Sequence, residues 1–440
     1  MAGHDRRVRE GRYDRATQAN IAVVMFAELP RWPGDLDEQA MLAYALEHML
    51  HGMLLNRALL PQVVVHTGSL DDLNDVAIDL WMGASPVYTR RMRDLMGIEG
   101  DDVPAIMKAL QLDCGFVHQY MDVAYKVNDP LHGEFWLNHC GALLDAEDHG
   151  EDRVFGMCHT IEDPTFDATA YATNPRARIR PIHRPPREPG DRHPHCHWTI
   201  EIDPANEPVG PATLTEQVRG LPIAAVPNEI ATDDRSGRRD YSGDFDPDAR
   251  LGVWGRPTLE AVTREFDAQA HLLAGAGELA LESRYGRDHA RTMLADAWVA
   301  TGWNGTERLV QALSLAGDPA NVVASVLSLH PAIPYGFDRA VAIDGDTVTL
   351  TLTPVIDGLL DPEQPGTTGL VARGERGGIE AMVRAVEPRA RVRVSEVAPD
   401  AARVEIDLNA ADPESEPGSV GFMRFGLAPA WSFDLRAEGA

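Results

Sequence analysis

The stretch FDRAVAIDGDTVTLTLT, residues 337–353, decides the fold class. Apolar and polar residues alternate on both sides of Asp344-Gly345-Asp346, the pattern of two antiparallel strands joined by a tight turn. In the second strand Val348, Leu350 and Leu352 share one face and threonines the other. The apolar face needs a cover. A helical stretch, GIEAMVRAVE (378–387), follows, then ARVRVSEV (390–397), the turn APD and ARVEIDL (402–408). The unit reads β-β-α-β-β, with an antiparallel sheet and helices on one face, which is α+β.

The same unit is expected earlier in the chain. Trp81 and Trp298 stand 217 residues apart, as do Asp79 and Asp296, Gly100 and Gly317, Leu110 and Leu327. The register then drifts: GALLDAE at 141 matches DGLLDPE at 357, and NPRARIR at 174 matches EPRARVR at 387. Order is kept throughout, so an internal duplication is expected. Each copy is a small helical bundle followed by the β-β-α-β-β unit. The boundaries are an arm at 1–35, copy one at 36–205, a polar linker at 206–255, copy two at 256–410 and a tail at 411–440. In copy one, apolar spacing predicts helices over 37–60, 70–82, 87–96 and 103–112, the last capped by Gly100-Asp101-Asp102.

Composition narrows the function classes. A chain of 440 residues with an ordinary apolar fraction can bury large cores, and its formal charge of −28 argues against nucleic acid as a partner. No apolar run approaches the roughly 20 residues that span a bilayer, and the charged N-terminal residues give no export signal. Four cysteines in so long a chain make no disulfide framework, so a reducing, cytoplasmic setting is expected. The expected partner is a small-molecule substrate, with a homo-oligomer possible.

Three of the four cysteines fall in GEFWLNHCGALLD (133–145), MCHTIEDPTFDAT (157–169) and HPHCHWTIEID (193–203), each beside a histidine. Carrying the strand parity of copy two onto copy one turns Cys140 inward, with Glu134 and Asn138 on the same side. Cys196 continues the inward row Trp198, Ile200, Ile202. His193, His195 and His197 fall on the opposite, solvated parity. Asp163 reads as a helix N-cap with Pro164 behind it, placing Cys158 and His159 at a helix start that would favour thiolate. Copy two has Ile356, Val371-Ala372 and about Asp400 at these places, which confines the chemistry to one copy.

Three thiolates with an imidazole or carboxylate suit Zn²⁺, or Fe or Mn. The expected metal set is Cys140, Cys158, Cys196 and His159. Alternatively, one cysteine is a nucleophile and His159 its base. Asp163 or Glu134 would assist proton transfer. Arg184, Arg187 and Arg192, on a Pro-rich connection with no counterpart in copy two, would grip a substrate carboxylate with Asn138 nearby. Buried cysteines also pack as small hydrophobes, the reading given to Cys114. His48 and His51 with Glu47 share a helical stretch, and His48 has a possible match in His271, which points to scaffold. The row Arg176, Arg178, Arg180 recurs in copy two and reads as a solvent-facing strand side.

The order Cys140, Cys158 with Asp163, then Cys196 entering a final strand resembles the L-2-amino-thiazoline-4-carboxylic acid hydrolase family, over about residues 70–203. The resemblance implies a helical first half, a cysteine-bearing α+β second half and hydrolytic opening of a small heterocyclic or amide-like C–N bond. Histidines at 139, 159, 195 and 197 and the second copy depart from it. The expected function is a metal- or thiol-dependent hydrolase acting on a small anionic substrate. The alternative is a non-catalytic, sensor-like module in which a closed Cys₃His zinc site is structural and the two copies pack as a pseudo-dimer around a small ligand.

Overall fold

A computed structural model describes residues 29–232, 237–410, 412–413 and 415–423. The arm expected over 1–35 and the tail over 411–440 lie largely outside these residues. The first half contains helices α1 (Glu38–Thr67), α2 (Leu70–Met96) and α3 (Val103–Leu110), then strands β1 (Met121–Asp129) and β2 (His132–Cys140). A helical run follows: α4 (Gly141–Asp148), α5 (Glu151–Phe155), a π turn (Gly156–Ile161) and α6 (Glu162–Tyr171). Strands β3 (Ala177–His183) and β4 (Cys196–Ile202) and helix α7 (Thr213–Arg219) complete it.

The second half contains α8 (Arg256–Tyr285), α9 (Arg287–Ala312), α10 (Pro319–Leu329), β5 (Phe337–Asp344) and β6 (Thr347–Pro354). It continues with α11 (Thr367–Ala372), α12 (Gly377–Arg384), β7 (Arg391–Ala398) and β8 (Ala401–Asp407). The two four-stranded antiparallel sheets have strand orders β1-β2-β4-β3 and β5-β6-β8-β7. The fold is α+β, as the hairpin at 337–353 implied.

That hairpin forms as read. Gly345 takes φ +58° in the turn, a conformation that favours glycine. Val348, Leu350 and Leu352 are fully buried. Asp37, Ser69, Asp102 and Asp318 each accept a backbone N–H at the start of α1, α2, α3 and α10, which satisfies donors that a helix leaves free at its first turn. The break expected between residues 82 and 87 does not occur. α2 runs through Pro86, which is buried against the core, so packing outweighs the lost backbone bond. α1 likewise passes Pro61 and ends at Gly68, with φ +74°.

The long helices α1, α2, α8 and α9 pack together and share one continuous apolar core with both sheets. Polar links cross between the halves. Glu47 meets Arg308 through two hydrogen bonds of 2.7 and 2.9 Å, with both side chains buried. Arg91 pairs with Glu265 in the same bidentate way. His48 is fully buried, with Nδ1 2.5 Å from Asp267 Oδ1 and Nε2 3.0 Å from the Leu329 carbonyl. It ties helices together, in line with the scaffold reading. The polar segment 206–255 packs down in part: Tyr241 is buried, its hydroxyl on Gln111 and its carbonyl on Lys108.

Candidate functional site

Cys140, Cys158 and Cys196 are all buried and unoxidised, on one side of the first sheet. Two backbone irregularities place Cys140 and Cys158 there, while Cys196 lies on the regular strand β4. β1 and β2 pair with a bulge: Asp122 faces His139, but Val123 faces Leu137, so Asn138 is an extra residue. The corresponding hairpin β5–β6 pairs without a break. Below the bulge Gly133, Phe135 and Leu137 point to the core, whereas Cys140 beyond it also turns in. A bulge resets which parity faces inward.

The bulge corrects two expectations from strand parity. Glu134 and Asn138 do not share the face of Cys140. Glu134 lies on the outer face, bound to His197 Nε2 at 2.9 Å and Asn128 at 3.0 Å. Asn138 is exposed and donates to Asp122. The ladder also realigns the halves. Cys140 ends the strand pair where Pro354 ends the other, not Ile356. Cys196 faces Leu137 as Ala402 faces Leu352, so its counterpart is Ala402, not Asp400.

The second irregularity is the π turn. The Glu162 N–H bonds back to the Met157 carbonyl, five residues earlier. Pro164 lies in the next turn and has no N–H to give, which relaxes the ladder there. π turns of this kind recur at functional sites. The helical run is therefore continuous through Cys158, and Asp163 is not its N-cap. Without a helix start, Cys158 lacks the dipole that would favour thiolate. Burial pushes its thiol well above the ordinary value, and the nearby Glu162, Cys140 and Cys196 push it further. Cys140 is raised to about 12 and Cys196 well upward, burial leading in both.

These shifts identify a residue that the sequence reading missed. Glu162 acts on all three thiols. Part of the residue reaches the surface, yet its Oε2 is sealed from water and has no hydrogen-bond partner. Burial raises its carboxyl from 4.5 to about 8, against the pull of Arg184. One signal was available: Glu162 follows Cys158 by four residues, which shares a face on any helix.

His195 is a further correction. It was placed on the solvated parity, but it is buried. It precedes β4, and its Nδ1 accepts the Cys140 N–H at 3.2 Å. Burial, aided by Arg187, lowers its pKa to about 4. His193 is exposed, as expected, while His197 is half-buried on the outer face against Glu134. His159 stacks on Phe155 and donates from Nε2 to the Pro185 carbonyl at 2.7 Å, pinning the β3–β4 connection over the helical run.

That connection also carries the expected substrate arginines. Arg184 pairs with Asp163 at 2.6 Å and lies over Trp198, and Arg187 makes a bidentate pair with Glu147. Both are engaged with carboxylates of the helical run, while Arg192 is exposed. Under them Trp198 stacks on Phe135 and meets Phe166 edge-on, a rigid floor beside Cys196. The row Arg176, Arg178, Arg180 binds nearby carbonyls and Asp167 rather than an open face.

On the other side of the π turn, Met157 and Ile161 face a cavity of about 570 Å³ between α1, α2, α4 and α5. The chemistry of three thiols and a carboxylate would suit Zn²⁺. The geometry does not fit it as it stands: among the described residues no three His, Cys, Asp or Glu side chains are placed to hold an ion. No described helix is long and apolar enough to cross a membrane. Comparison with family models, with curated proteins and with solved structures finds no match.

Proposed function

We propose that the layer around Glu162 is the active site of a hydrolase acting on a small anionic substrate with an amide-like or heterocyclic C–N bond. The supporting observation is Glu162 itself, a carboxyl with a pKa of about 8, one bare oxygen and three thiols for neighbours. A group that titrates close to neutrality can both take and return a proton. As carboxylate it removes a proton from the attacking water. As acid it returns that proton to the leaving nitrogen. In this reading Glu162 takes the role that sequence gave to Asp163 or Glu134. The thiols, held protonated, act as neutral neighbours that keep Glu162 out of water. With Arg184 and Arg187 paired, the substrate's charge falls to Arg153 on the cavity side of the π turn.

We read the chain as two copies of one unit, a helical bundle followed by β-β-α-β-β. The matching element and strand orders support this. Only the first copy has the bulge and the π turn. The second reading, a binding module without turnover, is favoured by the largely apolar cavity of about 570 Å³.

The test is turnover of a panel of thiazoline and cyclic-amide carboxylates at pH 7–8, read as released thiol or amine. The hydrolase reading expects activity in the native protein and a loss of at least about a hundredfold in Glu162→Gln, the lower range for a general acid–base group. Equal rates in the two proteins, or no turnover across the panel, overturn it.

A further inference from the structure

The cavity beside the π turn holds a guanidinium, Arg153, that makes no ion pair among the described residues. Three charged Arg and Asp side chains line it: Arg57, Arg153 and Asp145. Arg57 and Asp145 pair with each other. Arg153 has no ion-pair partner among the described residues, and its Nη1 is sealed from bulk water without a hydrogen-bond acceptor. Burial is the main influence on this guanidinium and works against its charge. Asn56, also in the wall, donates through Nδ2 to the Gly52 carbonyl and leaves its Oδ1 buried and unbonded. Unmet buried polar atoms of this kind are rare in folded proteins. The two residues that carry them, one with an unmet donor and one with an unmet acceptor, both line this space.

The remainder of the wall is apolar. Met53, Leu60, Val64, Leu73, Ala77 and Trp81 form a slot contributed by α1 and α2. The second half of the chain supplies a comparison. Trp298, which stands where Trp81 does by the 217-residue spacing, is almost wholly buried because α12 lies directly on it. A Cβ on Gly378 would fall 2.2 Å from the Trp298 ring, and one on Gly302 2.5 Å from the Gly378 carbonyl. There the chain closes over its tryptophan. Beside Trp81 it leaves about 570 Å³, within the range of small-molecule sites.

We infer that this cavity binds an amphipathic monoanion, a carboxylate-headed molecule with an apolar body. The carboxylate meets Arg153, a neighbouring N–H or O–H of the head group meets Asn56 Oδ1, and the body lies along Trp81 and Leu73. This deepens the reading of the same site, because Met157 and Ile161 bring such a molecule against the turn that carries Cys158 and Glu162. It also selects among anionic substrates: one without an apolar part leaves the slot unfilled.

The experiment is titration calorimetry of the full chain with octanoate and, as its uncharged counterpart, octan-1-ol. Octanoate is expected to bind at least about tenfold tighter, the effect of one desolvated charge-assisted contact. Arg153→Met should bring octanoate down to the level of octanol. Ala142→Phe, which pushes a ring into the slot from α4, should abolish both, with an unchanged circular dichroism spectrum. Octanol binding as tightly as octanoate, an Arg153→Met variant that still discriminates, or no octanoate heat at millimolar concentration overturns the inference. Glu162→Gln keeps the two readings apart, since it should retain octanoate binding. Binding without turnover removes only the hydrolase reading, and turnover without octanoate binding removes only this one.

Discussion

Replacing Glu162 by Gln should change how stability depends on pH, whether or not the protein is an enzyme. The folded carboxyl has its pKa raised from 4.5 to about 8. Below about pH 4.5 both folded and unfolded chains hold the proton, and the contribution of Glu162 to stability is fully present. Between 4.5 and 8 the unfolded chain releases the proton while the folded chain keeps it, so stability falls as pH rises. Above about 8 the loss levels off. At ~1.36 kcal/mol per unit the full shift corresponds to about 5 kcal/mol. Part of Glu162 is accessible to solvent, so we expect about 3 kcal/mol. Glutamine has the same shape and no proton to lose. Urea denaturation at pH 5 and pH 8.5 should therefore show the native protein losing about 3 kcal/mol more than Glu162→Gln. Other groups with displaced pKa values, such as Asp113 at about 6 and His195 at about 4, are common to both proteins and cancel in the difference. Parallel profiles would refute a buried, protonated Glu162.

The four thiols should be silent toward Ellman's reagent at pH 8 and all react after denaturation in guanidinium, because each is buried and pushed upward in pKa. A fast, stoichiometric reaction of one thiol in the folded protein would restore a thiolate mechanism. Gly378→Ala should cost about 1–3 kcal/mol by urea denaturation, since its methyl meets the Trp298 ring. Gly190→Ala, with nothing within 4 Å of the new methyl, should be neutral, and equal behaviour of the two would show that α12 is not held tightly on α9.

Regular elements were readable from the chain because their signals are local. Alternation at 337–353 gave the hairpin, helical spacing gave α1 and α3, the latter with its Asp102 cap, and the inward row Trp198, Ile200, Ile202 was correct to the residue. The same rules failed where the backbone departs from a regular period. Parity carried through β2 misplaced Glu134 and Asn138, because the turn aligns Phe135 rather than Glu134 with Leu350 and the extra residue at 138 then brings Cys140 back to the inner face. The helix start drawn at Asp163 overlooked that Pro164 could sit inside a helix opened into a π turn.

Sequence by itself determined that this is an α+β chain and that Cys196 continues the inward row Trp198, Ile200, Ile202, whereas Cys140 turns inward only through the bulge at Asn138. The first two follow from which residues avoid water and at what spacing. Only the tertiary structure decided what surrounds those sulfurs. Glu162, Arg153 and Asn56 are ordinary polar residues in a list. Their character comes from lost contact with water and from partners that are not there, and both depend on elements brought together from distant parts of the chain.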